Sequence, residues 1–375
     1  TTENMCEINR HGGTVVLKKI LEQCIKAGAR VAEAGEFTKL AFLNGRIDLS
    51  QAESIIDLIN SKTEKEAKAS IKGLEGELSI KINQVREKIL DLMADIEVNI
   101  DYPEYDVPEI SYSKEKTVLE NIKGELEKLE KSFETGRILK EGIKTAIIGR
   151  PNVGKSSLLS LMLKEERAIV SDIEGTTRDT IEEMIQIEGI PLKIIDTAGI
   201  RDTADEIESI GVDKAKKIAN EADLIIAIFD ASKEISKEDK YILEIIKNKK
   251  SIIVLNKIDL GKKIKLPIKI NNIVEISIKT KQGIDELYKN IIELFNIGEI
   301  ESDQSIIITN IRHKNKITNS IEALKKAISG IEEKLPVDII SINIIQCLNE
   351  LGEITGDNVS EDIINKIFSK FCLGK

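Results

Sequence analysis

The stretch IIGRPNVGKSS, residues 147–157, decides the fold of this chain. It has the spacing of a phosphate-binding loop, with Gly149, four residues, Gly154, Lys155 and Ser156 between a short apolar run and a helical run. Glycines let backbone N–H groups turn toward the α- and β-phosphates, Lys155 can reach the β- and γ-phosphates, and the Ser156 hydroxyl can bind Mg²⁺. By itself the pattern also fits a tight glycine turn, so the segments that follow are needed to choose between the two interpretations.

Two later segments have the composition of nucleotide switches. The sequence DTAG at 196–199 follows the apolar run 192–195, where a carboxylate can hold Mg²⁺ through water and Gly199 leaves its N–H free to approach the γ-phosphate. Between this segment and the phosphate loop, the sequence GTTRD at 175–179 offers threonine hydroxyls that could complete the metal shell when triphosphate is bound. Together the segments favour a nucleoside triphosphatase.

The base is predicted from NKID at 256–259, which follows the buried run 251–255. The Asp259 carboxylate can accept two N–H bonds from guanine, whereas adenine would leave it unmatched, a difference of roughly 10⁴-fold in selectivity. The sequence SIK at 277–279 is predicted to form the last loop that contacts the base, which we call the last base loop. Ile278 occupies the position where a small residue is usual. The residues predicted to bind GTP and its metal are Asn152, Val153, Gly154, Lys155, Ser156, Ser157, Thr176, Thr177, Asp196, Thr197, Ala198, Gly199, Asn256, Lys257, Asp259, Ser277, Ile278 and Lys279.

The surrounding pattern predicts an α/β P-loop GTPase domain with a doubly wound, mostly parallel six-stranded sheet. Its strands are expected at 144–148, 182–187, 192–195, 223–229, 251–255 and 273–276. Helical periodicity on both sides predicts that this domain, residues 142–297, is inserted in an α-helical bundle domain formed by 43–141 and 298–375. Residues 1–42 are predicted to be a small α+β fragment with a strand at 5–8 and a helix at 15–26.

Composition limits the function classes. The chain has 375 residues, a net charge of −10 and no long Lys/Arg block, which argues against strong autonomous binding to nucleic acid. Four cysteines are scattered without CxxC or His pairing, so neither a zinc site nor a disulfide framework is predicted. No apolar run has the length of a membrane span, and we expect no signal segment before the fold. We expect a cytoplasmic protein that makes no membrane contact.

The catalytic groups for hydrolysis remain open from the residues alone. Ile200 occupies the position where Ras-like GTPases place the glutamine that orients water. The acidic run at 202–208 offers replacements, but it also fits a solvated helix start, while Arg178 and Arg201 could add positive charge in the transition state. Asn152 could bind a monovalent cation or brace the phosphate loop.

The motifs GRPNVGKSS, DIEGTTRD, DTAGIR and NKID, with RHGG at 10–13, GEFT at 35–38 and the terminal FCLGK, resemble the MnmE (TrmE) family of tRNA-modification GTPases. This family belongs to the TrmE-Era-EngA-like superfamily, and the resemblance covers nearly the whole chain. It implies a potassium-activated GTP hydrolase that acts with the flavoprotein MnmG to place an aminomethyl or carboxymethylaminomethyl group on carbon 5 of the tRNA wobble uridine.

The resemblance also implies partners and a second ligand. In this family the N-terminal domain binds 5-formyl-tetrahydrofolate and forms a constitutive homodimer. The flavoprotein MnmG joins the homodimer in a heterotetramer, and tRNA is bound mainly through MnmG. Because the chain starts at Thr1 within a strand-like run, we expect it to be truncated at the N-terminus relative to the family. Folate binding and dimerisation are therefore expectations for the family's whole N-terminal domain.

Residue roles follow from the same resemblance. Mg²⁺ would be held by Ser156 and Thr177. The implied potassium ligands are Asn152, Ser171, Ile173 and Thr176, with Ser171 and Ile173 acting through backbone carbonyls.

Five further positions match family residues. Glu208 matches a glutamate that orients the hydrolytic water. Glu7, Arg46 and Lys375 match folate contacts, with Arg46 standing where lysine is common. Cys372 matches a cysteine needed for modification, although a small apolar residue near a packed terminus is an equal physical interpretation, since thiol reactivity depends on its pKa.

The competing hypothesis is a regulatory GTPase switch that binds the ribosome or RNA during ribosome assembly. Such a switch would need an RNA-binding appendage with a basic face, and the sequence after Gly298 shows none. Dependence of hydrolysis on potassium separates the two hypotheses.

Overall fold

The computed structural model of the chain describes residues 1–101, 112–165, 183–195, 211–266, 272–295 and 306–372. The chain forms two compact units. The helical unit comprises Thr1–Ser61, Ala67–Phe133 and Asn310–Lys375, and the sheet unit comprises Lys62–Glu66 and Glu134–Thr309. Most of the sheet unit is therefore inserted between two parts of the helical unit in the sequence.

Among the described residues, strands and helices alternate in the sheet unit, and the helical unit contains helices. The helices are α1 Thr14–Lys26, α2 Glu36–Leu43, α3 Leu49–Asn60, α4 Glu64–Leu74, α5 Glu77–Asp101, α6 Tyr112–Glu141, α7 Lys155–Glu165, α8 Gly211–Glu221, α9 Lys237–Ile246, α10 Ile284–Leu294, α11 Ile311–Glu332, α12 Val337–Thr355 and α13 Glu361–Phe368. The strands are β1 Ile143–Ile148, β2 Glu183–Ile187, β3 Ile190–Ile194, β4 Leu224–Asp230, β5 Ser251–Asn256 and β6 Ile273–Glu275.

The six strands form one sheet in the order β2-β3-β1-β4-β5-β6. The β2–β3 hairpin pairs antiparallel, and all other neighbouring strands pair parallel. Residues of α7 and α10 pack on one face of the sheet, and residues of α8 and α9 pack on the other. Every residue of β4 is buried, as expected for a central parallel strand covered on both faces. The predicted doubly wound, mostly parallel sheet is confirmed.

The helical unit is built on helices with apolar residues three and four positions apart. In α5, Leu78, Ile82, Val85 and Ile89 are buried at this spacing, which places them on one face. α12 packs against both α5 and α11, and α3 also contacts α5. No helix in the described ranges is long and apolar enough to cross a bilayer.

The strand predicted at 5–8 is wrong. Residues 1–13 contain no strand, and Met5 and Ile8 are each more than half exposed. A strand needs a neighbour to accept its backbone hydrogen bonds, and the described part of the helical unit contains no other strand. The following helix forms as α1, although none of its residues is buried.

A largely buried ion cluster joins three helices of the helical unit. Arg312 on α11 donates Nε and Nη2 to the two carboxylate oxygens of Glu53 on α3, at 3.0 and 2.6 Å. His313 Nε2 lies 2.8 Å from Glu53 Oε2, and Arg312 also donates to the carbonyls of Glu353 and Ile354 at the end of α12. Burial raises the pKa of Glu53, but hydrogen bonds and charge from His313 and Arg312 outweigh it and bring the pKa to about 2.

We expect Glu53→Gln to destabilise the chain by about 3 kcal/mol, because the change leaves the largely buried Arg312 charge without its carboxylate. The folded pKa lies below the usual 4.5, so this stabilisation is present above about pH 4.5 and is lost as the pH falls toward 2. The measurement is urea unfolding followed by circular dichroism at several pH values, since the chain has no Trp.

Glu125→Gln is the matched control. Glu125 pairs with Lys81 and Lys88 at 2.6 Å, but it is more exposed, 25% against 12% for Glu53. Its loss should cost less than about 1 kcal/mol. An equal loss of unfolding free energy in the two variants would show that the Glu53 cluster stabilises the chain no more than an exposed ion pair does.

Candidate functional site

The polar side chains of the sheet unit gather at one edge of its sheet. β1, β4 and β5 are parallel neighbours, so their carboxyl ends lie side by side. Asp230 and Asn256, the last residues of β4 and β5, are partners in register. Ligands of open α/β sheets bind at this edge, and the phosphate loop leaves β1 there.

The phosphate loop has the strand, loop and helix context that the sequence predicts. It connects β1 to α7, which begins at Lys155. A Cβ at Gly149 would lie 2.6 Å from the carbonyl oxygen of Ile228, and a Cβ at Gly154, where φ is +112°, would overlap Nδ2 of Asn256. Glycine is required at both positions because another element approaches the bare backbone. Ser156 and Ser157 are exposed in the first turn of α7, where an anion is favoured by the helix terminus.

Lys155 folds back over the loop. Its Nζ donates to the carbonyl oxygens of Gly149 and Arg150, at 2.8 and 3.0 Å. Burial lowers the pKa of Lys155. A phosphate bound in the loop would supply the negative charge that stabilises this partly desolvated ammonium.

Asn256 joins the phosphate loop to the last base loop. Its Nδ2 donates to the carbonyl of Val153 at 2.8 Å, and its Oδ1 accepts from the N–H of Ile278 at 3.2 Å. Ser277 Oγ donates to Asp259 Oδ1 at 2.7 Å and accepts from the N–H of Thr280 at 3.2 Å. The carboxylate is exposed at the sheet edge, where it can meet a base.

Lys257 connects the loop to a buried carboxylate. Its Nζ donates to the carbonyl of Asn152 and to Oδ2 of Asp230, both at 2.8 Å. Burial raises the pKa of Asp230, but hydrogen bonds from Lys257 and Ser232 outweigh it, and the pKa is lowered. Asn152 has a left-handed backbone, with φ of 62°, and its side chain is exposed.

Sequence reasoning missed two acidic residues of this site. Asp230 could have been found, because it follows the apolar run of β4 at the carboxyl edge. Asp239, which is 1% exposed in the first turn of α9, lies 3.4 Å from Nε of Arg150 in the phosphate loop. The sequence marks Asp239 only as the partner of Ser236 in a capping box, since the ion pair with Arg150 depends on how α9 packs.

Three other predicted residues lie in the helical unit. Glu7, Arg46 and Cys372 are all exposed. No hydrogen bond or ion pair of the described residues joins them to one another. The carbonyl of Cys372 accepts from the N–H of Gly35 at 3.3 Å. Their predicted roles stay predictions.

The remaining predicted site residues lie outside the described residues. They are Ser171, Ile173, Thr176, Thr177, Arg178, Asp196, Thr197, Ala198, Gly199, Arg201, Glu208 and Lys375. Lys279 is described and exposed beside Ile278. The structure therefore assembles the phosphate loop with the base loops and leaves the switch predictions as they were.

Comparison with known proteins adds the family. The family model described as MnmE helical domain matches residues 49–372, and the one described as GTP-binding protein TrmE N-terminus matches residues 1–46. The chain is 53% identical to the tRNA modification GTPase MnmE of Acetivibrio thermocellus and 49% identical to that of Finegoldia magna, in each case over 100% of this chain and 83% of the relative.

A solved structure, the G domain of the T. maritima FeoB iron transporter, is 30% identical over 40% of this chain and 98% of that chain, with a TM-score of 0.29 that is too low to add to the assignment. The family assignment rests on the full-length relatives and on the two family models, and both agree with a site that joins a phosphate loop to NKID. The chain belongs to the MnmE family of tRNA modification GTPases.

Proposed function

We propose that this GTP hydrolase is potassium-activated and acts with the flavoprotein MnmG to place an aminomethyl or carboxymethylaminomethyl group on carbon 5 of the tRNA wobble uridine. Family membership supports the reaction class. The observation that carries the GTP site is the Asn256 side chain, which hydrogen-bonds to Val153 in the phosphate loop and to Ile278 in the base loop.

The nucleotide is proposed to lie across this joint. Its phosphates would face the loop between Gly149 and Ser156, and its guanine would face Asp259. One amide side chain sets the spacing between the phosphate and base loops, so binding requires little rearrangement of either loop. Ser277 holds one carboxylate oxygen of Asp259 and so orients the group that distinguishes guanine.

Hydrolysis needs positive charge beside the phosphates, and we propose that Asn152 recruits it by binding potassium. Lys257 holds the Asn152 carbonyl at 2.8 Å and is itself held by Asp230, so the left-handed backbone at Asn152 is fixed. Potassium bound there would oppose the negative charge that develops on the phosphates. The exposed amide of Asn152 fits such a ligand, because amide oxygens are hard donors.

The other roles remain proposals from the family. Ser156 would hold Mg²⁺ with Thr177, and its exposed position in the first turn of α7 suits a metal ligand. Glu208 would orient water, with Arg178 and Arg201 adding charge. The remaining potassium ligands would be Ser171, Ile173 and Thr176.

The modification step is proposed to use the helical unit. Glu7, Arg46 and Lys375 would bind 5-formyl-tetrahydrofolate, and Cys372 would take part in modification. We also propose that the protein forms a homodimer in the cytoplasm and that its partner MnmG makes most of the tRNA contacts. The net charge of −10 and the absence of a long Lys/Arg block support tRNA binding through the partner.

Gly154→Ala should weaken GTP binding by at least about tenfold. The new methyl group would overlap Asn256 Nδ2 and occupy a backbone conformation that costs about 1–3 kcal/mol for a side chain. Fluorescent GTP titration in magnesium buffer measures the loss. Gly261→Ala is the control, because Gly261 has φ of +90° and no atom within 4 Å of the added Cβ. Equal weakening in both variants would contradict the proposed joint.

Asp259→Asn should reduce the preference for GTP over ITP, which lacks the 2-amino group, by about 10-fold or more. The asparagine side chain has one acceptor oxygen and one NH₂ donor, so it cannot accept both N–H bonds of guanine as the two carboxylate oxygens can. Competition against a fluorescent GTP analogue gives the ratio. Asp285→Asn, at an exposed acidic residue in the first turn of α10, should leave it unchanged. An unaltered preference in Asp259→Asn would mean that the base binds elsewhere.

The potassium proposal predicts that hydrolysis in potassium exceeds hydrolysis in sodium by about 10-fold or more, and that Asn152→Gly removes the difference. Glycine keeps the left-handed backbone and deletes only the amide. Asn272→Gly makes the same change at a φ of 70°, close to the 62° of Asn152, and should keep the potassium preference. GTP turnover at matched ionic strength is the measurement. Loss of the preference in both variants, or in neither, would exclude Asn152 as the ligand.

A further inference from the structure

The last described residues of the chain are held by an aromatic cluster of the helical unit. Phe368 and Phe371 are 2% and 5% exposed, and their ring centroids lie 5.2 Å apart. Phe368 also lies 6.1 Å from the ring of Phe42, centroid to centroid, near the end of α2. The chain between the two buried rings is a turn, in which the N–H of Phe371 donates to the carbonyl of Phe368 at 3.0 Å.

Gly35, the residue before α2, touches this turn with bare backbone. Its N–H donates to the carbonyl of Cys372 at 3.3 Å. A Cβ at Gly35 would lie 2.8 Å from the carbonyl oxygen of Phe368 and 2.9 Å from Cβ of Phe371. Gly35 has φ of +68°, so it meets two separate requirements for glycine. We call Gly35, Phe368 and Phe371 the terminal seat.

The loop that carries Gly35 is itself tied down. Arg30 forms a two-point ion pair with Glu36, in which Nη1 lies 2.8 Å from Oε2, and Oε2 also accepts from the N–H of Glu33 at 2.7 Å. The hydrogen bond from Arg30 is the largest cause that lowers the pKa of Glu36, to about 2. At neutral pH the loop is therefore closed by a charged pair. Lys39 on α2 adds a link to α13 through Asn365, at 2.7 Å.

The terminal seat leaves the Cys372 thiol facing solvent while its backbone is held. Cys372 is exposed and directly follows the buried Phe371. Cys347 shows the opposite arrangement, because it is buried and burial raises its pKa to about 12, so its thiol is inert at neutral pH. A thiol on a fixed backbone is presented at one place, whereas a thiol on a free chain end samples many.

We propose that Gly35 is a positioning residue for the modification reaction, because the terminal seat fixes the backbone of Cys372 and so places its thiol. This inference rests on the proposed function, in which Cys372 takes part in modification. Gly35 touches no reacting group itself. It acts by leaving room for the Phe368 carbonyl and the Phe371 side chain and by donating one hydrogen bond to the Cys372 carbonyl.

The test compares Gly35→Ala with Gly45→Ala in the full chain. Gly45 lies just beyond the other end of α2, has φ of +70° and has no atom within 4 Å of an added Cβ. Both variants therefore carry the same backbone strain, and only Gly35→Ala displaces the C-terminal turn. Hydrogen exchange by mass spectrometry should show about 10-fold faster exchange in the peptide that contains Phe371 for Gly35→Ala, and no change there for Gly45→Ala.

Activity is read in two assays. In wobble-uridine modification with the flavoprotein partner, Gly35→Ala should lower kcat about 10-fold or more while KM for tRNA and the rate of GTP hydrolysis stay within about twofold. Gly45→Ala should match the unaltered chain in both assays. A fall in kcat alone separates positioning from a general loss of stability, which would lower GTP hydrolysis as well.

Two further variants keep the inference distinct from the proposed function. Phe371→Ala removes an aromatic ring of the terminal seat and adds no side chain at a left-handed backbone position. It should reproduce the faster exchange and the lower kcat of Gly35→Ala, and it replaces that variant if Gly35→Ala does not fold. Cys372→Ser tests the role of the thiol with the terminal seat intact. Faster exchange with unchanged modification in Gly35→Ala and Phe371→Ala would overturn the inference alone. Full modification by Cys372→Ser would overturn the role of Cys372 in the proposed function.

Discussion

The site depends on the side chain of Asn256, whose two polar atoms are both used inside the protein. The amide donates to Val153 in the phosphate loop and accepts from Ile278 in the base loop. Asn256 is 3% exposed, so losing either bond would leave a buried polar group without a partner, at a cost of about 1–3 kcal/mol. A glycine must stand at 154, because the amide occupies the space that a side chain would need. The distance between the phosphate and base loops is thereby set before any nucleotide binds.

Charge at the same edge is arranged around one buried carboxylate. Asp230 holds Lys257, and Lys257 holds the carbonyl of Asn152, so a strand end, a base loop and the phosphate loop share one ammonium group. Lys155 instead donates to two backbone carbonyls, no carboxylate of the described residues pairs with it, and burial lowers its pKa. This difference separates a structural lysine, which already has its anion, from a binding lysine, which lacks one. A phosphate is the ligand that such a site favours.

The helical unit uses the same physics for a different purpose. Its ion cluster, in which Glu53 pairs with Arg312 and contacts His313, joins α3 to α11 and α12. Its terminal seat relies instead on aromatic packing against a glycine. In both places a residue type is dictated by a neighbour that is distant in sequence. Packing also separates the two cysteines, since Cys347 on α12 is buried and Cys372 is exposed.

The sequence by itself determined the sheet, the phosphate loop, the position of the NKID base loop and the family. These depend on local spacing, namely apolar runs of strand length, glycines at fixed offsets and polar residues at strand ends. It failed at 5–8, where the described part of the helical unit offers a strand-like segment no strand to pair with. Only the tertiary structure decided the partners of Asp230, Asp239, His313 and Gly35, since each contact joins residues far apart in the chain. Local patterns specify which conformations a segment can adopt, whereas buried charge pairs and close backbone contacts exist only after distant segments have packed.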